Sequence, residues 1–254
     1  MVILAVDIGN TNIKTAFVED YNLIDTIAVA TDNFKTNNAE DYLVSVSERI
    51  NNYKPQGLII SSVVKGQGEK YADFVKKFGL NKPVFVSEKL QYRYRFPDKY
   101  KNEIGGDILA TTAACDAFYG DCILVDIGTA ITFQVLENHI FRGGIIYAGI
   151  NMMAKALKEG TSLLPAVTPE IPDELLSFDT VKCIQSGLMY GQAAMIDGML
   201  ERIEKHFGKK FTTVATGGDT AKISSLIKKP FDKIENDLIF KGLNVIYNDN
   251  CFNV

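Results

Sequence analysis

The sequence is poor in the residue patterns that build metal centres and nucleophilic triads. It has only two histidines, His139 and His206, which lie far apart and follow neither a metal-ligand nor a triad spacing. The four cysteines form no Cys-x-x-Cys pair, and no histidine stands at a zinc-site distance from them. We therefore expect free, mostly buried thiols in a reducing cytosol.

The chain also lacks an excess of positive charge and a long apolar run. Lys and Arg number 27 against 31 Asp and Glu, which gives a formal net charge of −4. A nucleic-acid binder would normally carry a basic surface. No apolar run approaches the length of a membrane span, and the N-terminal apolar residues lead into Asp7 without the basic leader of a signal peptide. We expect a cytoplasmic protein that binds neither nucleic acid nor membrane.

Two segments share one pattern, in which an apolar run ends in an aspartate, a glycine turn and hydroxyl side chains. They are Asp7-Ile8-Gly9-Asn10-Thr11-Asn12-Ile13-Lys14 and Asp126-Ile127-Gly128-Thr129-Ala130-Ile131-Thr132. Glycine lets the backbone approach a ligand, and turn amides beside Thr and Asn suit phosphate oxygens. Each aspartate is placed to hold a cation or a water beside those phosphates. The pair predicts two half-sites that face a nucleotide from opposite sides.

The apolar periodicity predicts an α/β chain in which a three-strand opening occurs twice, each time followed by strand–helix alternation. This indicates two domains, at 1–117 and 118–254, that face a cleft, with the closing helix at 237–247 free to pack back on the first domain. A glycine-rich bend is predicted after the strand at 140–142. Predicted helices span 38–52, 69–78, 104–119, 151–159, 181–207, 221–227 and 237–247.

Four polar residues allow both a structural and a functional interpretation. Asp7 suits a turn cap or a cation site, and Lys14 is either a phosphate ligand or the exposed face of a strand. Asp107 follows Gly105-Gly106 before a helical stretch, where aspartate is a common N-cap. Thr180 stands at the start of the long predicted helix, where threonine can serve as the N-cap.

The motifs taken together resemble those of the type III pantothenate kinases, relatives of sugar kinases, actin and the Hsp70 ATPase domain. The resemblance covers nearly the whole chain and implies two ribonuclease H-like domains around a central cleft. Besides the two Asp-Gly segments, it rests on Gly105-Gly106-Asp107, on 143–149, on 161–165, on 179–191 and on Thr216-Gly217-Gly218-Asp219, all in the expected order.

This resemblance implies ATP-dependent phosphorylation of pantothenate to 4'-phosphopantothenate, the first step of coenzyme A biosynthesis. It implies Mg²⁺, a monovalent cation (K⁺ or NH₄⁺) near Asp126, and a homodimer. A hard cation held partly by substrate phosphates needs few protein carboxylates, so Asp7 would reach Mg²⁺ through a water.

The resemblance also assigns roles to individual residues. Asp107 would be the general base that accepts the proton of the pantothenate hydroxyl. ATP would contact the residues from Asp7 to Lys14 named above, together with Gly128, Thr129, Thr132, Gly217 and Gly218. Pantothenate would contact Gly105, Gly106, Asp107, Ile108, Thr180 and Tyr100, with Tyr94 as the competing tyrosine.

Two other functions remain as alternatives, and one departure from the family pattern favours the first of them. The family motif usually continues from aspartate to arginine, whereas Ile108 stands at that place. A non-catalytic, nucleotide-binding accessory or regulatory relative would tolerate this loss. A sugar kinase is the other alternative, although the Cys/His zinc motif of compact bacterial sugar kinases is missing. Arg93, Arg95 and Arg142 are candidates to replace the absent guanidinium.

Overall fold

The computed structural model describes residues 1–97 and 103–251, and the chain divides into two compact units. Unit 1 contains Met1–Gly120, Asn138–Phe141 and the C-terminal segment from Asp237. Unit 2 contains Asp121–Glu137 and Arg142–Asn236. Both units are discontinuous in the sequence, because the packing of strands and helices, rather than chain order, decides which segments belong together.

Unit 1 is built on a mixed sheet in the order β3-β2-β1-β4-β5. The strands β1, β2 and β3 form an antiparallel meander, whereas β4 runs parallel to β1 and β5. The apolar runs of β1 and β4 are continuous because both faces of these central strands are covered. The strand bounds are Val2–Ile8 (β1), Asn12–Glu19 (β2), Asn22–Ala30 (β3), Gly57–Ser62 (β4) and Pro83–Phe85 (β5).

Helices cover the two faces of this sheet. One face packs its even-numbered β1 residues, such as Leu4 and Val6, against α2 and α3. On the other face α8 contacts β1 and β4 and packs tightly on α4, where a Cβ at Gly242 would lie 1.8 Å from the carbonyl oxygen of Ala110. The helix bounds are Thr31–Lys35 (α1), Glu40–Tyr53 (α2), Gln67–Val75 (α3), Gly106–Phe118 (α4) and Leu238–Cys251 (α8).

Unit 2 repeats this strand order. Read from the opposite edge of the sheet, its order is β10-β9-β6-β7-β8. Its core joins one face of the sheet to α6, the 28-residue helix of this unit. The strand bounds are Cys122–Ile127 (β6), Ala130–Glu137 (β7), Ile140–Ala148 (β8, of which residues 140–141 are grouped with unit 1), Thr212–Thr216 (β9) and Lys233–Ile234 (β10). The helix bounds are Ile150–Glu159 (α5), Thr180–Phe207 (α6) and Thr220–Ile223 (α7).

The predicted duplicated α/β architecture is confirmed by these two sheets of equal topology. The predicted bend after residue 142 is wrong, because β8 continues through Gly143 and Gly144 to Ala148. Gly143 keeps the strand going with a left-handed φ of +124°, a conformation that glycine adopts without cost. Within the described ranges, none of the helices is long and apolar enough to cross a membrane.

Candidate functional site

The first Asp-Gly segment forms the tight turn between β1 and β2. The amide of Gly9 donates to the carbonyl of Asn12 over 3.0 Å and closes the turn. Thr31, at the start of α1, braces it, since its hydroxyl donates to the Gly9 carbonyl (2.7 Å) and its amide to the Thr11 carbonyl (2.9 Å). The turn is thus held in one shape by the backbone and by a buried threonine.

The side chains of this segment divide between the core and solvent. Ile8 and Ile13 are fully buried in the core against α2 and α3. Any contact between these two residues and ATP is therefore restricted to their backbones. The three residues of the turn whose side chains are exposed are Asn10, Thr11 and Asn12.

A polar row crosses unit 1 at the level of Asp7. In the strand register, Asp7 of β1 lies opposite Lys14 of β2 and opposite Ser61 of β4. Registered neighbours share one face of a sheet, and Ile8 and Ile60 occupy the face that packs on α2 and α3. Asp7, Lys14 and Ser61 therefore share the face that α8 and α4 cover.

Asp107 lies at the start of α4, beside this row. The N-cap of α4 is Gly105, which makes no side-chain capping bond, and Asp107 follows in the first turn. Its Oδ1 accepts a hydrogen bond from the amide of Ile108 at 2.9 Å. The N-cap interpretation of Asp107 is therefore wrong. A carboxylate in this first turn is favoured by the helix dipole.

Of the two tyrosines that the resemblance proposes as pantothenate contacts, the structure describes one. The phenol of Tyr94 is buried and donates to the carbonyl of Leu109 in α4 over 3.0 Å. Burial raises the pKa of Tyr94 well above its ordinary value, so this side chain is a neutral anchor for the helix. Tyr100 lies outside the described residues.

The three arginines considered as replacements for the missing guanidinium have structural contacts. Arg93 makes a two-pronged ion pair with Asp249 at 2.7 and 2.6 Å, and this bond raises the pKa of Arg93. Arg95 pairs through its backbone with His139 and Phe141. Arg142 belongs to unit 2 and lies 3.5 Å from the carboxylate of Glu137.

The second Asp-Gly segment forms the equivalent turn in unit 2. Asp126 of β6 lies opposite Thr132 of β7 and Thr216 of β9, the same arrangement that Asp7 has with its neighbours. The face that carries Ile127 and Ile131 packs into the core. Asp126, Thr132 and Thr216 therefore share the opposite face of the sheet, where they form a row of oxygen-bearing side chains.

Two further glycines pack closely against this second turn. A Cβ at Gly149 would lie 2.1 Å from the carbonyl oxygen of Gly128 and 2.5 Å from that of Thr129. Gly217, which follows β9, lies against Asp126 and Ile127. The segment that ends at Gly149 and the segment that begins at Gly217 are thus brought to the Asp-Gly turn of unit 2. The neighbouring Gly218 has open space around it.

Thr180 is the first residue of α6. The N-cap is Asp179, whose carboxylate accepts from the amide of Lys182 at 3.0 Å. The capping interpretation of Thr180 is therefore wrong, and its side chain is exposed. A cavity of about 500 Å³ lies along the first half of α6, lined by the small residues Ser186, Gly187 and Gly191 and by the connector before the helix.

The comparison with known families agrees with these motifs. The family described as type III pantothenate kinase matches residues 3–202. Among its curated members, the type III pantothenate kinase of Dictyoglomus turgidum is 34% identical over 253 residues, which covers 96% of this chain and 98% of the relative. That of Finegoldia magna is 34% identical over 257 residues, with 96% of each chain covered.

Solved structures extend the comparison to the fold. A Campylobacter jejuni protein described as a Baf family transcriptional activator matches with a TM-score of 0.60 at 20% identity, over 98% of each chain. A ROK family glucokinase from Streptomyces griseus, solved with glucose and AMPPNP, matches with a TM-score of 0.55 at 13% identity, over 96% of this chain and 98% of that chain. These likenesses show that the chain shares the fold of both proteins, and the sequence matches show that it belongs to the type III pantothenate kinase family.

Proposed function

We propose that this protein transfers the γ-phosphoryl group of ATP to the primary hydroxyl of pantothenate, giving 4'-phosphopantothenate for coenzyme A biosynthesis. The observation that carries the proposal is family membership over most of the chain, with the family's Asp-Gly turn folded alike in both units. Phosphoryl transfer asks a protein mainly to position two substrates and to neutralise charge. The amides and hydroxyls of the two Asp-Gly turns can hold the ATP phosphates in position.

Asp107 is proposed as the base of this reaction. Its carboxylate is only partly buried, and Oδ1 makes a local bond to the amide of Ile108. The bond to Ile108 uses Oδ1, and Oδ2 is the oxygen that we propose to accept the proton of an attacking hydroxyl. Lys14 supplies positive charge in the row that contains Asp7, which suits an ATP phosphate.

The residues of unit 2 suit a monovalent cation. No cluster of three or more His, Cys, Asp or Glu side chains suited to a metal occurs among residues 1–97 and 103–251. The row of Asp126, Thr132 and Thr216 offers oxygen ligands alone, which hard cations prefer. We therefore assign K⁺ or NH₄⁺ to Asp126 and Mg²⁺ chiefly to the ATP phosphates, with Asp7 reaching it through water. When bound, these cations would offset charge on the phosphates.

A homodimer is proposed from the surface of unit 2. The connector before α6 exposes large apolar side chains, of which Leu163, Leu176 and Phe178 are 93%, 85% and 109% exposed. Single exposed apolar residues are ordinary, but several in one segment are typical of a protein interface. A second copy of the chain is the partner that the family resemblance implies.

A cytoplasmic location is proposed from the family's metabolic role and from the cysteines. Cys115 and Cys122 are buried free thiols, and Cys183 and Cys251 are exposed free thiols. Exposed thiols persist in a reducing compartment.

A non-catalytic regulatory relative is the second candidate function. Ile108 leaves the start of α4 without the usual arginine, and the Campylobacter jejuni neighbour is described as a transcriptional activator. This candidate predicts ATP binding without turnover.

One assay separates these functions. The purified protein is incubated with ATP, Mg²⁺ and K⁺, and ADP release is followed with pantothenate or with glucose as acceptor. We expect ADP release that depends on pantothenate, and mass spectrometry should detect 4'-phosphopantothenate. ATP binding without turnover would support the regulatory relative, and turnover with glucose alone would support a sugar kinase.

A further inference from the structure

Ser61 is a buried hydroxyl that the fold leaves unsatisfied. It ends the apolar run of β4, its side chain is 0% exposed, and its Oγ has no hydrogen-bond partner within residues 1–97 and 103–251. Leaving a buried polar group unpaired lowers the free energy of unfolding. An alanine would remove this cost, so the hydroxyl calls for a functional explanation.

The hydroxyl points to the start of α4. A Cβ at Gly106 would lie 3.0 Å from Ser61 Oγ, so Oγ lies against the first residue of the helix and one residue from Asp107. The glycine leaves the space between Ser61 and the first turn open. In the strand register Ser61 also lies opposite Asp7, and it therefore occupies a position between the two carboxylates of unit 1 that the proposed function uses.

The carboxylate of Asp107 can accept a further bond. Its Oδ1 accepts a bond from the amide of the next residue, Ile108, which is a local contact that a side-chain rotation can exchange. Ser61 brings a second hydroxyl to this first turn, where the hydroxyl of Thr111 already donates to the backbone carbonyl of Asp107 at 2.9 Å. A donor of this kind would fix the direction in which the carboxylate presents its lone pairs.

We propose that Ser61 is a positioning residue, whose hydroxyl donates a hydrogen bond to the Asp107 carboxylate when the substrates are bound. This inference rests on the proposed function, in which Asp107 accepts the proton of the pantothenate hydroxyl. The bond orients the base without touching either substrate. It also explains why the polar row across β1 and β4 ends in serine although an apolar residue would fit the core better.

The test compares Ser61→Ala with Ser61→Thr, which restores a hydroxyl. For Ser61→Ala we expect kcat to fall about tenfold to a hundredfold, the loss expected for a hydrogen bond to a charged group. Calorimetry should show pantothenate and ATP binding as in the wild type. The melting temperature should stay equal or rise, since an unpaired hydroxyl has been removed. Ser61→Thr should recover most of kcat.

Ser62→Ala is the matched control. Ser62 faces the other side of the sheet, and its hydroxyl bonds locally to the carbonyl and amide of Val64 at 2.9 and 3.2 Å. We expect this variant to melt at a lower temperature and to keep its kcat. The same loss of melting temperature in Ser61→Ala, or a normal kcat in that variant, would overturn the inference. Absence of turnover in the wild type would instead overturn the proposed function.

Discussion

Gly217 lies directly against Asp126 in unit 2. A Cβ at residue 217 would sit 2.4 Å from Asp126 Oδ1 and 2.4 Å from the carbonyl oxygen of Ile127, and the residue has a left-handed φ of +99°. Both the space and the backbone conformation therefore require glycine. The contact fixes the segment after β9 beside the acidic turn after β6, where the proposed cation and phosphates would bind.

Replacing Gly217 by alanine should disturb both stability and nucleotide binding. Backbone strain alone costs about 1–3 kcal/mol, and the Cβ would push Asp126 from its place. We expect a lower melting temperature and a raised KM for ATP, measured by thermal unfolding and steady-state kinetics.

Gly198→Ala is the control for this substitution. Gly198 lies inside α6 with no atom within 4 Å of an added Cβ, so alanine should stabilise the helix by up to about 1 kcal/mol. Equal melting temperatures for the two variants would contradict the tight contact at Gly217.

Asp107→Asn removes the proposed base and keeps the size of the side chain. We expect turnover to fall by about 10²–10⁴, the usual contribution of general acid–base catalysis. The melting temperature and the Kd for ATP should stay near those of the wild type, because the amide oxygen can still accept the bond from Ile108. Near-normal turnover in this variant would remove Asp107 as the base.

The sequence predicted best those elements in which apolar residues recur with a regular period. The helix predicted at 181–207 is α6, Thr180–Phe207, and the helix predicted at 151–159 is α5, Ile150–Glu159. The one-turn helix α1 and the two-residue strand β10 were missed. They are too short for a periodic pattern, and β10 exists because it pairs with Val214 and Ala215.

The sequence predicted the candidate site only in part. Motif order predicted the two acidic turns, whose strand pairing is now seen within each unit. The sequence could not single out Ser61, because its importance comes from the register with β1 and from its contact with Gly106. Both depend on segments far apart in the chain. The capping interpretations of Asp107 and Thr180 failed because the N-caps are Gly105 and Asp179.

Replacing K⁺ by Na⁺ should lower the rate of pantothenate phosphorylation. The larger cation suits the row of carboxylate and hydroxyl oxygens at Asp126, and its charge would offset that of the ATP phosphates. In Asp126→Asn the rate should be lower and should no longer respond to K⁺ concentration. An undiminished wild-type rate in Na⁺ alone would exclude a K⁺ requirement.

Leu176→Glu should weaken self-association. Burying one leucine side chain contributes about 1.5–3 kcal/mol, and a buried unpaired charge adds a further cost. We expect the wild type to have a dimer mass by light scattering and the variant to shift towards monomer at the same concentration. Val44→Glu, at a 57% exposed position of α2 in unit 1, should remain dimeric. A monomeric wild type would contradict the proposed interface.

Asp232→Asn should reveal a pH-dependent contribution to the stability of unit 2. The carboxylate accepts bonds from the amide and hydroxyl of Thr213, both at 2.8 Å, and these bonds hold the pKa of Asp232 below its ordinary value. A lowered pKa in the folded state stabilises the protein above the unfolded pKa of about 3.9, and this contribution is lost as the pH falls through the folded pKa. We therefore expect the variant to melt below the wild type at pH 7, by a small margin because solvent screens this exposed group. The margin should vanish in strong acid, and a margin that stays constant from neutral pH into strong acid would show that the charge of Asp232 does not contribute.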